Sequence, residues 1–414
     1  MNVTVIGVCG LAVLAALFWL PAPPSRVWLI PAAVIALIPM TMRQPNGQAT
    51  FTDAYLFATP LAIGGVLLAV AVPWSRVSQR VVLLAALALA GSSMAFVVTG
   101  SHEPWIDVWH IFQQSSQGLL HGRNPYEMRF TGVPPGQTDD CFNYLPATFL
   151  LTLPGWLLTG ESRWAEVAVL MTGWAAIAWL VSRAAHTPGA RTAHRSALGL
   201  LVLAMFLPGT LRVAQTGWNE SLTLGLILIG FALVATGRSG WAILALALAI
   251  ATKQHVVLML PLWALWPAFG WRRALWTLAG ASAIVLPWFL MAPGRFMTCT
   301  VTFFLDLPAR RDSLSLYLHV PHVFAVAMQL ALLAAVYVFY LRRGISGIGA
   351  ALMASGALLV AFSLFNKQSF ENQWWFATSL ILTGLALSTL VTDAVQPSSS
   401  QDEASSDGLN RARA

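Results

Sequence analysis

Blocks of Leu, Ala, Val and Ile alternate along this chain with short connectors that hold nearly all of its charge. The blocks run at roughly 3–20, 27–42, 55–73 and 81–99. After a polar stretch they resume at 164–182, 196–211, 220–236, 240–252, 255–269, 273–291, 321–341, 345–365 and 373–391. A run of about 18 to 20 apolar residues crosses a hydrocarbon core of ~30 Å as a helix. In lipid such a block satisfies its backbone polar groups only as a helix, whereas a β-barrel strand would be short and alternating. The pattern predicts an all-α, polytopic integral membrane protein with about 13 transmembrane helices.

The segment YLPATFLLTLPGWLLTG, 144–160, is near the lower length limit for a span and carries two prolines. That suits a helix lying in the interface or dipping into it, so it is left out of the count. Charge segregation supports the choice. With the 101–163 loop outside, Arg26, Arg76, Arg80, Arg183, Arg191, Arg195, Arg238, Arg272, Arg273, Arg342 and Arg343 all fall inside. Every acidic residue before the C-terminal tail falls outside, and counting 144–160 as a span would put Arg183, Arg191 and Arg195 there too. Three parts result: N-terminal transmembrane helices over 1–80, a catalytic membrane domain over 81–391, and a tail over 392–414. The tail, rich in Ser, Asp and Glu, is expected to be disordered and cytoplasmic. The first apolar run lacks a basic leader and a small-x-small cleavage site, and reads as the first span.

Composition adds one constraint. The chain is 57% hydrophobic and only 9% charged, so its carboxylates and cations are few enough to weigh singly. The net charge of +7 comes from arginines in connectors, where they act as orientation signals, and nucleic acid is not an expected partner. No Cys/His spacing suits a metal, and no cofactor is expected.

Ionisable and turn-forming residues concentrate between Trp105 and Pro146, which reads WIDVWHIFQQSSQGLLHGRNPYE, then a Gly/Pro loop, then DDCFNYLP. Asp107, flanked by Trp105 and Trp109, is placed to be partly desolvated and to take a proton from a hydroxyl that reaches it. His110 shares a helical face with it and could orient it or contact a phosphate. The turn His121 to Tyr126 ends a helix and anchors the next segment, and it brings Asn124 and Tyr126 to the same side. Arg212, Gln215, Asn219 and Glu220 lie in the connector LRVAQTGWNES, while Lys253 and His255 interrupt a long apolar stretch. Lys253 is one of two lysines in the chain. An ammonium at membrane depth needs an anion, either a phosphate or a carboxylate such as Glu220. Lys367 and Asn372 stand in a last outer segment, NKQSFENQWW.

These residues, in this order and on one side, resemble the GT-C superfamily of polyprenyl-phosphate-sugar-dependent glycosyltransferases, and most closely the mannosyltransferases of the glycosyltransferase 87 family. The likeness rests on Asp107 early in a long outer loop, the turn Gly122 to Tyr126, Tyr144 to Pro146, VAQTGWNES, and the Lys in IATKQHVVLMLP, over roughly 81–391. It implies a GT-C-like fold with juxtamembrane helices in the long outer loop, Asp107 as general base, and a helix following Tyr144 that does not span. The chain departs from the family in showing Gln-Thr-Gly-Trp-Asn for Gly-Gln-x-Asn and in three extra leading spans, which leaves sugar and acceptor open.

The expected activity is transfer of a sugar, mannose on the resemblance, from a polyprenyl-phosphate donor to a lipid or glycan acceptor, at the extracytoplasmic face of the cell membrane. Arg212, Lys253 and His255 would hold the donor phosphate. His110, Asn124, Tyr126, Gln215, Asn219, Glu220, Lys367 and Asn372 would line the sugar or acceptor site. A transporter or flippase for a lipid-linked sugar is the first alternative, although its polar groups belong near mid-membrane on several spans. A non-catalytic membrane component is the second. Cys141 and Cys299, one in each of the two longest outer loops, could form a disulfide in an oxidising compartment.

Overall fold

The computed structural model describes residues 78–184, 191–207 and 209–392, with isolated positions at 10–12, 14, 64 and 65. The expected spans at 27–42, 55–73 and most of 3–20 lie outside the described residues, as does nearly all of the tail. Every regular element among the described residues is helical. In order these are α1 (Gln79–Gly100), α2 (Asp107–Leu120), α3 (Ala147–Thr159), α4 (Arg163–Ala184), α5 (Arg191–Met205), α6 (Gly209–Thr216), α7 (Glu220–Ala235) and α8 (Ser239–Ile250). There follow α9 (Leu260–Leu265), α10 (Gly270–Met291), α11 (Pro293–Met297), α12 (Phe303–Asp306), α13 (His322–Arg343), α14 (Ile348–Leu364) and α15 (Glu371–Thr392).

Four helices are long and apolar enough to cross a membrane: α1, α4, α10 and α13. A fifth span arises if α5 and α6, bent by 40° at their junction, count as one. Other expected spans are interrupted. The expected span 240–252 is the 12-residue α8, the chain is extended at Lys253, and the expected span 255–269 breaks into a 3-10 turn over Gln254–Met259 and the six-residue α9. The helices α7 and α14 have 16 and 17 residues, about 24 to 26 Å at 1.5 Å per residue. The helix that follows Tyr144, α3, has 13 residues and reaches only about 20 Å, short of a ~30 Å core.

The centre is built from α7 packed between α4 and α8, and from α14 packed on α15, which also lies against α5. Nearly every side chain of α7 is buried, as its uniformly apolar sequence requires. Small residues set these approaches. A Cβ on Gly173 of α4 would fall 2.7 Å from the Gly225 carbonyl of α7, and one on Gly225 would fall 2.5 Å from that of Val169, so the two backbones touch. Outside this core, α10 and α13 bury only 17% of their apolar windows, which fits a position facing lipid.

A buried guanidinium locks three helix ends together. Arg163 donates to the Ser101 carbonyl (2.7 Å) and the Val98 carbonyl (3.3 Å) at the end of α1, and to the Gln215 carbonyl (2.6 Å) at the end of α6. Carbonyls of a last helical turn have no partner within the helix, so a cation there satisfies both their hydrogen bonds and their negative dipole end. Glu161 supplies its counter-charge at 2.6 Å.

Candidate functional site

The long loop between α1 and α4 folds back on itself around Asp107, the first residue of α2. A carboxylate is favoured at that end of a helix, and α2 continues because Val108, Ile111, Phe112, Ser115 and Ser116 recur on one buried stripe. The Asp107 Oδ1 accepts from the Val108 N–H (2.8 Å) and Oδ2 from the Thr138 N–H (3.3 Å), while its own N–H donates to Gln137 (2.7 Å). Asp107 keeps some surface toward solvent but is closely surrounded by protein. Burial raises its pKa, and the N–H groups of Thr138 and Val108 and the charge of Arg310 pull the other way. A carboxylate whose pKa is raised holds a proton more strongly, and so serves better as a base, than one at the ordinary value near 4.

A second polar group forms where α8 ends. The Thr252 carbonyl there is taken up by the Leu145 N–H, the Thr148 hydroxyl and the Asn219 amide, at 3.2, 2.9 and 3.3 Å. The chain is then extended at Lys253, whose ammonium pairs with Glu220 at the start of α7. Glu220 is wholly buried, and the same oxygen accepts from the Asn372 amide at 2.7 Å. Its other oxygen, like Asn219 Oδ1 and Asn372 Oδ1, is buried with no partner in the protein. Three uncommitted acceptors in one buried group are what a hydroxyl-bearing ligand or bound water would satisfy. Beside them, Arg212 meets Glu371 at 3.8 Å and lies over the Trp218 ring at 5.9 Å. Lys253 and Arg212 thus have carboxylate partners, so the expectation of a cation in need of a phosphate loses its premise. Only one of the three ammonium N–H groups goes to Glu220, however, and 3.8 Å is a loose contact.

Tyr144 stands between Asp107 and this pair. The Lys253 ammonium lies 5.6 Å from its ring centre, and Phe112 of α2 packs edge-on at 4.9 Å. Burial pushes its phenol pKa well up, and the charges of Asp107, Glu220 and Glu166 act in the same direction. The phenol therefore stays protonated. Tyr144 is a site residue that sequence reasoning treated only as part of a motif. Arg310, which no motif includes, reaches Asp107 electrostatically from the other long loop while it forks onto Asp312 (2.9 and 2.5 Å) and lies over Phe370.

Other expected ligand contacts turn out to be structural. Tyr126 is fully buried among Phe142, Phe149 and Phe296, and its hydroxyl donates to the Tyr144 carbonyl at 2.9 Å, which leaves no surface for a substrate. Asn124 accepts from the Tyr126 N–H (3.2 Å) to close its turn. Gln215 is buried beside Arg163, with its amide on the Ser101 hydroxyl at 3.1 Å. His110 rests against Gly132 and Trp109, where burial lowers its imidazole pKa and leaves it neutral near pH 7. His255 stacks on Phe362, its Nε2 buried without a partner. Lys367 lies further out and donates to the Leu305 carbonyl at 2.6 Å.

The two long outer loops are cross-linked. Cys141 and Cys299 are joined as a disulfide, with Cα atoms 5.2 Å apart, and Gln254 bridges the Asn143 and Thr300 carbonyls at 3.0 and 3.3 Å. Arg295 donates to the Asp140 carbonyl. Mass spectrometry of a non-reduced digest, from protein made in an oxidising compartment, should find a peptide pair linked through Cys141 and Cys299. Recovery of both as alkylated thiols would refute the link. Replacing both with Ala should cost about 2–5 kcal/mol.

No cluster of three His, Cys, Asp or Glu side chains able to hold a metal occurs among the described residues. No family model matches the chain, and no curated protein does.

Proposed function

We propose that this chain is a membrane glycosyltransferase of GT-C-like architecture that moves a sugar from a polyprenyl-phosphate donor to a lipid or glycan acceptor, with Asp107 as general base. What carries the reading is the presence, on either side of Tyr144, of a partly desolvated carboxylate at Asp107 and a buried Lys–Glu–Asn group that has unsatisfied acceptors. The acceptor hydroxyl would lose its proton to Asp107 as its oxygen attacks the anomeric carbon, and the bond to the phosphate would break with its electron pair staying on the phosphate. The free N–H groups of Lys253 and Arg212 would receive that phosphate without a metal. The unpartnered oxygens of Glu220, Asn219 and Asn372 would accept from sugar hydroxyls.

On this reading the chain has about 13 spans, with the site outside and the C-terminus inside. Single cysteines at 136 and 310 should label from outside, and those at 191 and 272 only after permeabilisation. Purified protein given labelled polyprenyl-phospho-mannose and total membrane lipid should transfer label to a lipid-soluble or glycan product. Failure with mannose and with other polyprenyl-phospho-sugars would count against the reading and leave a flippase, which would move the donor across a bilayer unchanged.

The Arg310 charge favours ionised Asp107, so its loss must raise the carboxylate pKa further. A base works only when deprotonated, and activity rises with pH through that pKa. The acid limb of the pH–rate profile should therefore lie above the ordinary carboxylate value near 4, and Arg310→Gln should move it to higher pH. A limb that stays put or moves down would disconnect Arg310 from Asp107.

A further inference from the structure

Tyr144 presents a polar group that the glycosyl-transfer reading has not used. Its ring is held by Phe112 at 4.9 Å and Phe142 at 6.0 Å, and its backbone by the carbonyl, which accepts from the Tyr126 hydroxyl. The next residue, Leu145, is pinned by its N–H to the Thr252 carbonyl at the break that presents Lys253. The phenol is thus fixed relative to Lys253, yet its O–H makes no hydrogen bond to any described residue. It is also partly open to solvent. A rigid, neutral, uncommitted donor beside an ammonium with unused N–H groups is complementary to an anionic oxygen.

We propose that the Tyr144 hydroxyl, together with Lys253, holds the phosphate of the polyprenyl donor, donating its hydrogen bond to the oxygen that gains charge as the sugar departs. The inference rests on the glycosyl-transfer reading. Tyr144 gives a hydrogen bond and keeps its proton. The acceptor's proton goes to Asp107, and the electron pair of the broken carbon–oxygen bond remains on the phosphate.

Tyr144→Phe removes the O–H and keeps the ring in its aromatic contacts, so the fold is retained. In full-length protein in nanodiscs, the binding of a polyprenyl phosphate and of the matching uncharged polyprenol would be measured, with kcat and the donor and acceptor KM values. Wild type should bind the phosphate well above the alcohol. Tyr144→Phe should weaken phosphate binding and lower kcat, each about ten- to a hundredfold, with polyprenol binding, acceptor KM and melting temperature unchanged. A Tyr144→Phe protein that binds the phosphate and turns over like an active wild type would overturn the assignment and leave the glycosyl-transfer reading intact. A wild type that prefers neither lipid and transfers no sugar would overturn both.

Discussion

Asp107→Asn should lower sugar transfer by about a hundredfold or more while the protein folds and binds polyprenyl phosphate as wild type does and melts only slightly lower. The amide is nearly isosteric, and its oxygen can still accept from the Val108 N–H or the Thr138 N–H that now hold the carboxylate. What it cannot do is take a proton. One backbone contact is lost, because an amide nitrogen has no lone pair to offer, and that costs about 1 kcal/mol. Radiolabel transfer alongside a thermal melt separates the two effects. Activity within about threefold of wild type would remove Asp107 from the role of base, while a matching loss of folded protein would make it a loop-closing residue instead.

Lys253→Met should be the most destabilising substitution in the site, by about 3–5 kcal/mol, because it strands the Glu220 carboxylate without its counter-charge inside the protein. Glu220 has no exposure to water, and its second oxygen is already without a partner. The double variant Lys253→Met, Glu220→Gln should recover a large part of the loss, since the amide carries no charge and Asn372 can still donate to its oxygen. Melting temperatures of the wild type, both single variants and the double close the cycle. If Lys253→Met melts with wild type, the pair is not ionic and Lys253 is held by something else.

The all-helical fold class was legible because apolar blocks in lipid have one solution, and the long polar loop was legible because charge is scarce enough for its clustering to stand out. Asp107 stood out for the same reason. The span pattern was less legible. Residues 240–269 read as two apolar blocks, but whether the chain between them continues as helix depends on whether neighbouring groups satisfy freed backbone carbonyls, and here Leu145, Thr148 and Asn219 do so from distant positions. Within the site, chemistry did not reveal allegiance. Tyr126 and Tyr144 are the same residue type in adjacent motifs, yet one is a core aromatic with its hydroxyl spent and the other carries a free one. Gln215 and Asn372 are both buried amides, of which one braces helix ends and the other meets Glu220. The charge of Lys253 had two readings in sequence, phosphate or Glu220, and the geometry supplies Glu220. Arg310 had no local signal, because its bearing on Asp107 comes from the approach of loops some two hundred residues apart.

The contact between Gly173 and Gly225 lies about one to two helical turns from the acidic residues on the same two helices. Ser221 of α7 takes the hydrogen bond to Glu166 of α4, at 2.9 Å, one turn before Gly225 closes the gap. How far apart the two carboxylates stand is therefore decided by how closely two bare backbones slide together, with no side chain to absorb a change. A single methyl at either glycine would re-space the charges around any ligand without altering one atom that touches it. Spacing of these charges is thus set at positions that a search confined to pocket-lining residues would pass over.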